Sequence, residues 1–82
     1  MKYEVIFSKR AAREFWRQNR FVQLQLMLYF RLQLNGEHDP RSIGKPLEIG
    51  YNLWQYRIGQ YRMLAEVTPK KVVILALRTR QF

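Results

Sequence analysis

Two arginines stand at matched distances from a turn signal in the second half of the chain. Arg57 lies two residues before Gly59-Gln60, and Arg62 lies two residues after it. A Gly-X dipeptide suits a type II′ hairpin, and a two-residue loop fixes which residues of the flanking strands pair. The spacing therefore predicts that Arg57 and Arg62 are direct cross-strand neighbours. Two guanidinium groups converging there could grip a phosphate through their planar forks.

Like charges directly opposite in a sheet are destabilising, so this pair needs an explanation. One interpretation is a solvated face, on which the two side chains splay apart or Glu66 partly compensates their charge. The other is an anion site. The residues alone leave both interpretations open, because arginine is readily tolerated on protein surfaces.

The predicted hairpin register also sorts the two strands into faces. One face is almost wholly apolar and should be the core face, so its aromatic residues are expected to pack inside rather than to stack on bases. The opposite face is mixed and should be open to solvent. The predicted core face carries Trp54, Tyr56, Ile58, Tyr61, Met63, Ala65 and Val67, and the open face carries Leu53, Gln55, Arg57, Arg62, Leu64 and Glu66.

Composition supports a polyanionic partner. The 82 residues suit a single domain, residues 1–82, and they include 15 Lys and Arg against 6 Asp and Glu, for a net charge of +9. Such an excess favours nucleic acid as the partner. The chain has no cysteine and one histidine, His38, which we interpret as a surface residue. We therefore expect neither a metal site nor a cofactor.

A second set of arginines occurs near the N-terminus, at helical spacing within a predicted helix, Lys9–Asn19. These residues are Arg10, Arg13, Arg17 and Arg20. Such a stripe is most often a solvated helix face, and the sharper interpretation is a footprint on an RNA backbone. A membrane-surface role is disfavoured because the core requires the apolar stripe of Ala12, Phe15 and Trp16. No run is apolar enough to span a bilayer and no signal peptide is evident, so we expect a cytoplasmic protein.

The elements follow from periodicity and turn signals. The second helix is ambiguous, because Val22, Leu24, Leu26 and Leu28 also alternate as in a strand, but its length favours a helix. The layout is β-α-α-β-β-β, an α+β fold with two helices packed on a mainly antiparallel four-stranded sheet. The predicted elements are a strand at Lys2–Phe7, an N-cap at Ser8, helices at Lys9–Asn19 and Phe21–Leu34, a stop at Asn35-Gly36, and strands at Leu53–Ile58, Tyr61–Val67 and Val72–Arg78.

The face on which Arg78 lies depends on the turn before the last strand. A four-residue turn pairs Val67 with Val72 and sends Arg78 toward the core. A three-residue turn pairs Val67 with Lys71 and sends Arg78 to the open face, beside Arg62. We favour the three-residue turn, because burying an unpaired arginine is costly.

The order of these motifs resembles the RelE/ParE superfamily of bacterial toxin–antitoxin modules, over nearly the whole chain. The resemblance rests on the opening strand, the Ser8–Ala12 helix start, Gly44–Leu47, Leu53–Arg62 and Val72–Arg78. It implies a RelE-like toxin, a metal-independent endoribonuclease that cleaves mRNA on the ribosome through attack by the substrate's 2′-hydroxyl group. ParE-like members share the fold and instead inhibit DNA gyrase. A third possibility is a catalytically impaired member that only binds its antitoxin.

The resemblance also implies roles for individual residues. Arg62 matches the family's phosphate-binding arginine, Arg57 occupies the basic position on the preceding strand, and Arg78 or Arg80 would supply the C-terminal arginine. Gln55 stands where RelE-like members often have another basic residue, and Phe82 is the only counterpart of their terminal tyrosine. The expected RNA contacts, beyond these, are the arginines at 10, 13, 17 and 20, together with Lys45. The residues around Lys45 also leave open that it is simply a solvated loop residue. The expected partner is an acidic, amphipathic antitoxin that covers the helices and the open face in a hetero-oligomer, whereas a homo-oligomer is only weakly indicated.

Overall fold

The hairpin that carries Arg57 and Arg62 forms as predicted in the computed structural model, which describes residues 3–34, 38–48 and 52–79. Strands β3 (Leu53–Ile58) and β4 (Tyr61–Val67) are antiparallel, and Arg57 pairs with Arg62. The φ angle of Gly59 is +59°, whereas Gln60 has no positive φ. This combination is that of a type II′ turn, in which only the first central residue is left-handed.

The sheet has five strands in the order β1-β5-β4-β3-β2. β1 (Glu4–Phe7) lies at one edge, parallel to β5 (Lys71–Arg78), and the other neighbouring pairs are antiparallel. The α+β, mainly antiparallel architecture is therefore confirmed. The strand that the sequence did not reveal is β2 (Lys45–Pro46), which pairs with β3. Its two residues sit among turn signals, and proline is tolerated in a strand only at a sheet edge or end.

Two helices follow β1: α1 (Lys9–Trp16) and α2 (Arg20–Tyr29), the latter continuing as a π-helical turn through Phe30–Leu34. The predicted helix Lys9–Asn19 is too long, because the Asn19 side chain accepts a hydrogen bond from the Val22 amide and starts the next helix. The predicted stop at Asn35-Gly36 lies outside the described residues. Within the described part of the chain, no helix is long and apolar enough to cross a membrane.

The helices cover the predicted core face of the sheet. α2 and the π-helical turn contribute residues at a spacing of four, namely Val22, Leu26, Phe30 and Leu34. From α1 the buried residues are Ala11 and Phe15. The prediction that Trp16 also faces the core is wrong, because Trp16 is 70% exposed. Ala12 is only half-buried. The α1 helix is thus rotated relative to the prediction, because Ala11 rather than Ala12 faces β5 and the core.

Tyr56 is buried in this core, as the register predicted, and does not form a stacking platform. Its hydroxyl group donates a hydrogen bond to the carbonyl oxygen of Pro40 at 2.7 Å. Burial raises the pKa of the Tyr56 hydroxyl above its usual range. The bond ties the segment that leads into β2 to the core face of β3.

Replacing Tyr56 with phenylalanine should lower the free energy of unfolding by about 1–2 kcal/mol, because the Pro40 carbonyl loses its buried donor. Urea denaturation at neutral pH measures the loss. The matched control is Tyr61→Phe, whose hydroxyl donates to the partly buried Gln18 side chain at 2.9 Å. A smaller loss is expected there, and equal losses would contradict the importance given to the Pro40 bond.

The same variant tests the titration of Tyr56. Because its pKa is raised in the folded state, the folded chain holds the proton more tightly than the unfolded chain does. Wild-type stability should therefore be complete below about pH 10, the ordinary tyrosine pKa, and fall as the pH rises above it. The fall should be shallower in Tyr56→Phe. Unfolding curves at pH 8 and pH 11 would show whether the two proteins differ in this way.

Candidate anion-binding site

The turn between β4 and β5 corrects one prediction. Val67 pairs with Val72, so the loop contains four residues and not three. Thr68 closes it at both ends: its amide donates to the Lys71 carbonyl at 2.9 Å, and its hydroxyl oxygen accepts from the Lys71 amide at 3.0 Å. The Thr68 hydroxyl group thus satisfies the Lys71 amide within the four-residue loop.

Arg78 nevertheless lies on the open face, beside Arg62, as we predicted. The reason is a β-bulge farther along the same strand pair. Ala65 pairs with Ile74 but Leu64 pairs with Ala76, so Leu75 is an extra residue in β5. One extra residue reverses the facing of everything after it. Arg78 is thereby moved from a position opposite Tyr61, on the core face, to a position opposite Arg62.

Three arginines therefore form one row across three adjacent strands. Arg57 pairs with Arg62, which pairs with Arg78. We call Arg57, Arg62 and Arg78 the arginine row. With strands about 4.8 Å apart, the row spans roughly 10 Å between its outer Cα atoms. Such a distance lets all three guanidinium groups reach one phosphodiester linkage and its neighbour.

Among the described strand pairs, none places a carboxylate directly opposite a member of this row. Glu66 pairs with Leu53, four residues from Arg62 along β4, which is about 13 Å at the usual rise per residue. Arg57 is exposed, and its Nε atom donates a long bond of 3.4 Å to the carbonyl oxygen of Gly59. The compensating role considered for Glu66 is therefore not supported by the register.

A cleft adjoins the row on the side of β2. Lys45 is the direct partner of Gln55, so the two residues lie on the same face as Arg57 and Arg62. The cleft measures about 340 Å³, near the lower end of ligand-binding pockets, which run from about 300 Å³. Its lining residues are Ile43, Gly44, Lys45, Gln55, Arg57 and Arg62.

Gly44 explains how the wall of this cleft is held. A Cβ atom added at Gly44 would lie 2.9 Å from the Tyr56 ring, so only glycine lets the backbone approach the ring this closely. Together with the bond from Tyr56 to Pro40, this contact positions Lys45 over Gln55. Ile43 and Gly44 belong to the cleft although the sequence did not mark Ile43. Its only signal was its position immediately before Gly44-Lys45-Pro46.

The second set of arginines does not join this site. Arg10 and Arg13 lie on α1, Arg17 caps its C-terminus and Arg20 begins α2, so the predicted single stripe is divided between two helices. All four are exposed, in the helical layer on the other face of the sheet. Arg10 also forms an ion pair with Glu14 at 3.6 Å. Arg80 and Phe82 lie outside the described residues.

The arrangement is suited to holding negative charge. Guanidinium groups donate hydrogen bonds and remain protonated, so the row can bind and stabilise a phosphate but cannot accept a proton from a nucleophile. His38 is exposed, as predicted. Among the described residues, no three His, Cys, Asp or Glu side chains come close enough together to hold a metal ion.

Comparison with known proteins identifies the class. The sequence matches the toxins of type II toxin–antitoxin systems: the family model of the ParE toxin of the type II system parDE matches residues 5–81. The chain therefore belongs to the ParE toxin family, within the RelE/ParE superfamily. A comparison with curated proteins finds no match.

Solved toxin–antitoxin complexes show the same fold. The complex RelBE2 from Mycobacterium tuberculosis contains a chain similar to this one with a TM-score of 0.84 and 25% identity, covering 98% of this chain and 100% of that one. The intact RelBE complex of E. coli contains a chain similar to this one with a TM-score of 0.67 and 15% identity, covering 98% of this chain and 99% of that one. For a chain of the RelB–RelE complex of Methanococcus jannaschii, the TM-score is 0.60 and the identity 13%, covering 89% of this chain and 87% of that one.

The arginine row should cost the protein stability. Replacing Arg62, its central member, with glutamine should raise the free energy of unfolding by about 0.5–1 kcal/mol at low salt, because two cross-strand repulsions are removed. The gain should shrink at 1 M salt, where the screening length falls to about 3 Å. Urea denaturation at the two salt concentrations measures both effects.

Lys70→Gln provides the control, because Lys70 is an exposed cation in the β4–β5 turn, remote from Arg62 along the strands. We expect a smaller change from it. If the two variants gave the same stability difference and the same salt response, the row would not carry concentrated repulsion.

Proposed function

We propose that this toxin is a RelE-like endoribonuclease that cleaves mRNA on the ribosome. The observation that carries the proposal is the arginine row, which brings three cations together on the open face of the sheet beside a cleft bearing Lys45. Clustered like charge is destabilising in a sheet, so its presence favours a role in binding an anion. The net charge of +9 agrees with an RNA partner.

The proposed chemistry is an internal transesterification. The 2′-oxygen of the substrate attacks the adjacent phosphorus, the bond from phosphorus to the 5′-oxygen breaks, and the products are a 2′,3′-cyclic phosphate and a 5′-hydroxyl group. Solvent takes the 2′-hydroxyl proton, and the 5′-oxygen gains a proton from solvent or from the Lys45 ammonium group. Arg62 and its neighbours in the row stabilise the charge that builds on the non-bridging oxygens.

The ribosome would supply what the row lacks. Guanidinium groups cannot serve as a general base, so the row provides electrostatic stabilisation, and correct alignment of the 2′-hydroxyl group must contribute much of the rate. The exposed arginines of the helical layer, Arg10, Arg13, Arg17 and Arg20, lie on the other side of the sheet from the row. In this proposal they contact ribosomal RNA while the row faces mRNA, and Gln55 lies beside the RNA in the cleft. Arg80 and Phe82 would complete the contacts at the chain end.

Inhibition of DNA gyrase is the second candidate. It is favoured by the description of the matching family as the ParE toxin and by Gln55, an uncharged residue in the cleft where RelE-like members often have a basic one. On this alternative the basic face binds gyrase and no phosphodiester bond is cleaved. The two candidates differ in a measurable product, a cut mRNA or a loss of supercoiling.

Purified toxin should cut mRNA only in a translating extract, and Arg62→Ala should reduce the cutting rate by about 100-fold, the loss typical of removing one donor to a developing oxyanion. Primer extension across a reporter mRNA locates and quantifies the cuts. Lys70→Ala, outside the site, should cut at the wild-type rate. Equal cutting by wild type and Arg62→Ala would show that the site is assigned wrongly.

A gyrase supercoiling assay with the same preparations completes the comparison. We expect no inhibition at toxin concentrations that abolish translation. Inhibition of supercoiling without any mRNA cleavage would replace the first candidate with the second.

The antitoxin is the expected partner, since the solved relatives are toxin–antitoxin complexes. We propose that it covers the outward face of α2 and of the turn that follows it. Here four apolar residues, Phe21, Leu24, Leu28 and Leu32, form what we call the outer stripe, and each is more than half exposed. Apolar surface this continuous marks a binding surface. Exposed arginines at 17, 20 and 31 accompany it, so an acidic amphipathic segment is complementary in both respects.

Truncating the outer stripe should weaken antitoxin binding without weakening the fold. Leu24→Ala and Leu28→Ala should each reduce affinity about 5- to 30-fold, the equivalent of roughly 1–2 kcal/mol of apolar burial. Stability should barely change, because both side chains are already exposed in the free toxin. Co-expression with the product of the adjacent reading frame, followed by titration calorimetry, measures the affinities.

Gln25→Ala is the matched control, an exposed polar residue on the same helix. It should bind as the wild type does. If Leu24→Ala and Leu28→Ala also bound normally while Arg57→Ala did not, the antitoxin would cover the open face and not α2.

A further inference from the structure

Two side chains from the helical layer hold the strand segment that contains the bulge. The Ser8 amide donates to the Ile74 carbonyl at 2.9 Å, and the Ser8 hydroxyl group donates to the Leu75 carbonyl at 3.1 Å. The Glu14 carboxylate then accepts a hydrogen bond from the Leu77 amide at 3.0 Å. These contacts follow one another along the edge of β5 on both sides of the extra residue.

The edge needs such partners because β1 is shorter than β5. Pairing between β1 and β5 ends at Phe7 and Ile74, after which the chain turns into α1. Ala76 and Leu77 are buried, so water cannot readily satisfy their backbone groups. Glu14 therefore acts in place of a strand, accepting the bond that the missing part of β1 would have accepted.

We propose that Glu14 is a positioning residue that selects the bulged register of β5 and so places Arg78 in the arginine row. The inference concerns the register itself. Only its consequence for RNA rests on the function proposed above.

The selection follows from the alternation of backbone direction along a strand. The Ile74 carbonyl points outward, to Ser8, and backbone groups of alternate residues point to the same edge. Without the bulge, the next outward amide would be that of Ala76, and the Leu77 amide would point to β4. With Leu75 as an extra residue, the Leu77 amide points outward, where Glu14 receives it. The bond to Glu14 is thus available only in the register that pairs Arg78 with Arg62.

The register without the bulge would be disfavoured by one effect and favoured by another. It would place Arg78 opposite Tyr61, whose hydroxyl group is bonded to Gln18 of the segment that follows α1. Arginine in that position would enter the core face, which is costly. It would also relieve repulsion within the row, because Arg62 would then face Leu77. The hydrogen bond from the Leu77 amide to Glu14 stabilises the bulged register, which is the one that concentrates charge in the arginine row.

Hydrogen exchange of the wild-type protein provides the first test and needs no variant. The Leu77 amide lies at a sheet edge beyond the end of β1, yet it should be protected at least 10-fold relative to the exposed amide of Gln60 at the hairpin turn. Exchange of Leu77 as fast as Gln60 would overturn the proposal.

The second test compares Glu14→Gln with Glu14→Met. Glutamine keeps an acceptor oxygen at the same reach, and methionine keeps the length and helix propensity without it. Glu14→Met should exchange Leu77 at least 10-fold faster and lose the cross-strand NMR contact between Met63 and Leu77, whereas Glu14→Gln should keep both. The control is Glu4→Met, an exposed carboxylate on β1. An intact Met63–Leu77 contact in Glu14→Met would refute the role in register.

The third test connects register to function. Arg78→Ala should weaken binding of a single-stranded RNA oligonucleotide about 5-fold in the wild-type background and have no effect in the Glu14→Met background. An equal loss in both backgrounds would show that Glu14 does not position Arg78. If Arg78→Ala changed nothing in either background while exchange behaved as expected, the register role would stand and the proposed RNA site would fail.

Discussion

The facing of Arg78 depends on a single extra residue in the last strand. Side chains alternate along a strand with a period of two, so one inserted residue decides whether everything beyond it faces the core or the solvent. Before Leu75, β5 presents Val72 and Ile74 to the core. After it, the strand presents Leu77 to the core and Arg78 to the open face. The bulge thus lets the same strand complete the core and contribute the third arginine.

The core and the charged face compete in the same three strands. The core face of β3 and β4 packs Tyr56, Met63 and Ala65 against the helices, and this burial supplies the stability. On the opposite face, repulsion within the arginine row reduces the stability of the fold. Contacts outside the strands hold the arrangement, including the Ser8 and Glu14 bonds at one end and the Gly44–Tyr56 contact at the other. A thin sheet can therefore display concentrated charge on one face while its other face remains a packed core.

The second helix shows why part of the sequence was hard to interpret. Its even-numbered positions are nearly all apolar, a pattern that also fits a strand. The structure divides them into a buried set spaced by four, Val22, Leu26 and Phe30, and an exposed set spaced by four, Leu24, Leu28 and Leu32. A helix that is apolar on two faces obscures its own period. The exposed set is the surface proposed for the antitoxin, so the same residues explain both the ambiguity and the binding surface.

The sequence by itself determined the hairpin and everything that depends on local chemistry. Gly59-Gln60 specified the turn, the turn specified that Arg57 faces Arg62, and alternation separated the core face from the open face. The Ser8 cap was likewise readable, because capping is local. Arg78 was placed correctly for a wrong reason: the predicted three-residue turn does not exist, and the bulge does what that turn was expected to do.

Tertiary structure decided the features that depend on residues far apart in the chain. The bulge at Leu75 is held by Ser8 and Glu14, more than sixty residues away. The cleft exists because Pro40 and Gly44 pack against Tyr56 and bring Lys45 beside Gln55. The helical arginines are separated from the row because the helices pack on the reverse face. Such contacts have no local signature, since their stability comes from groups that meet only when the sheet and helices are assembled.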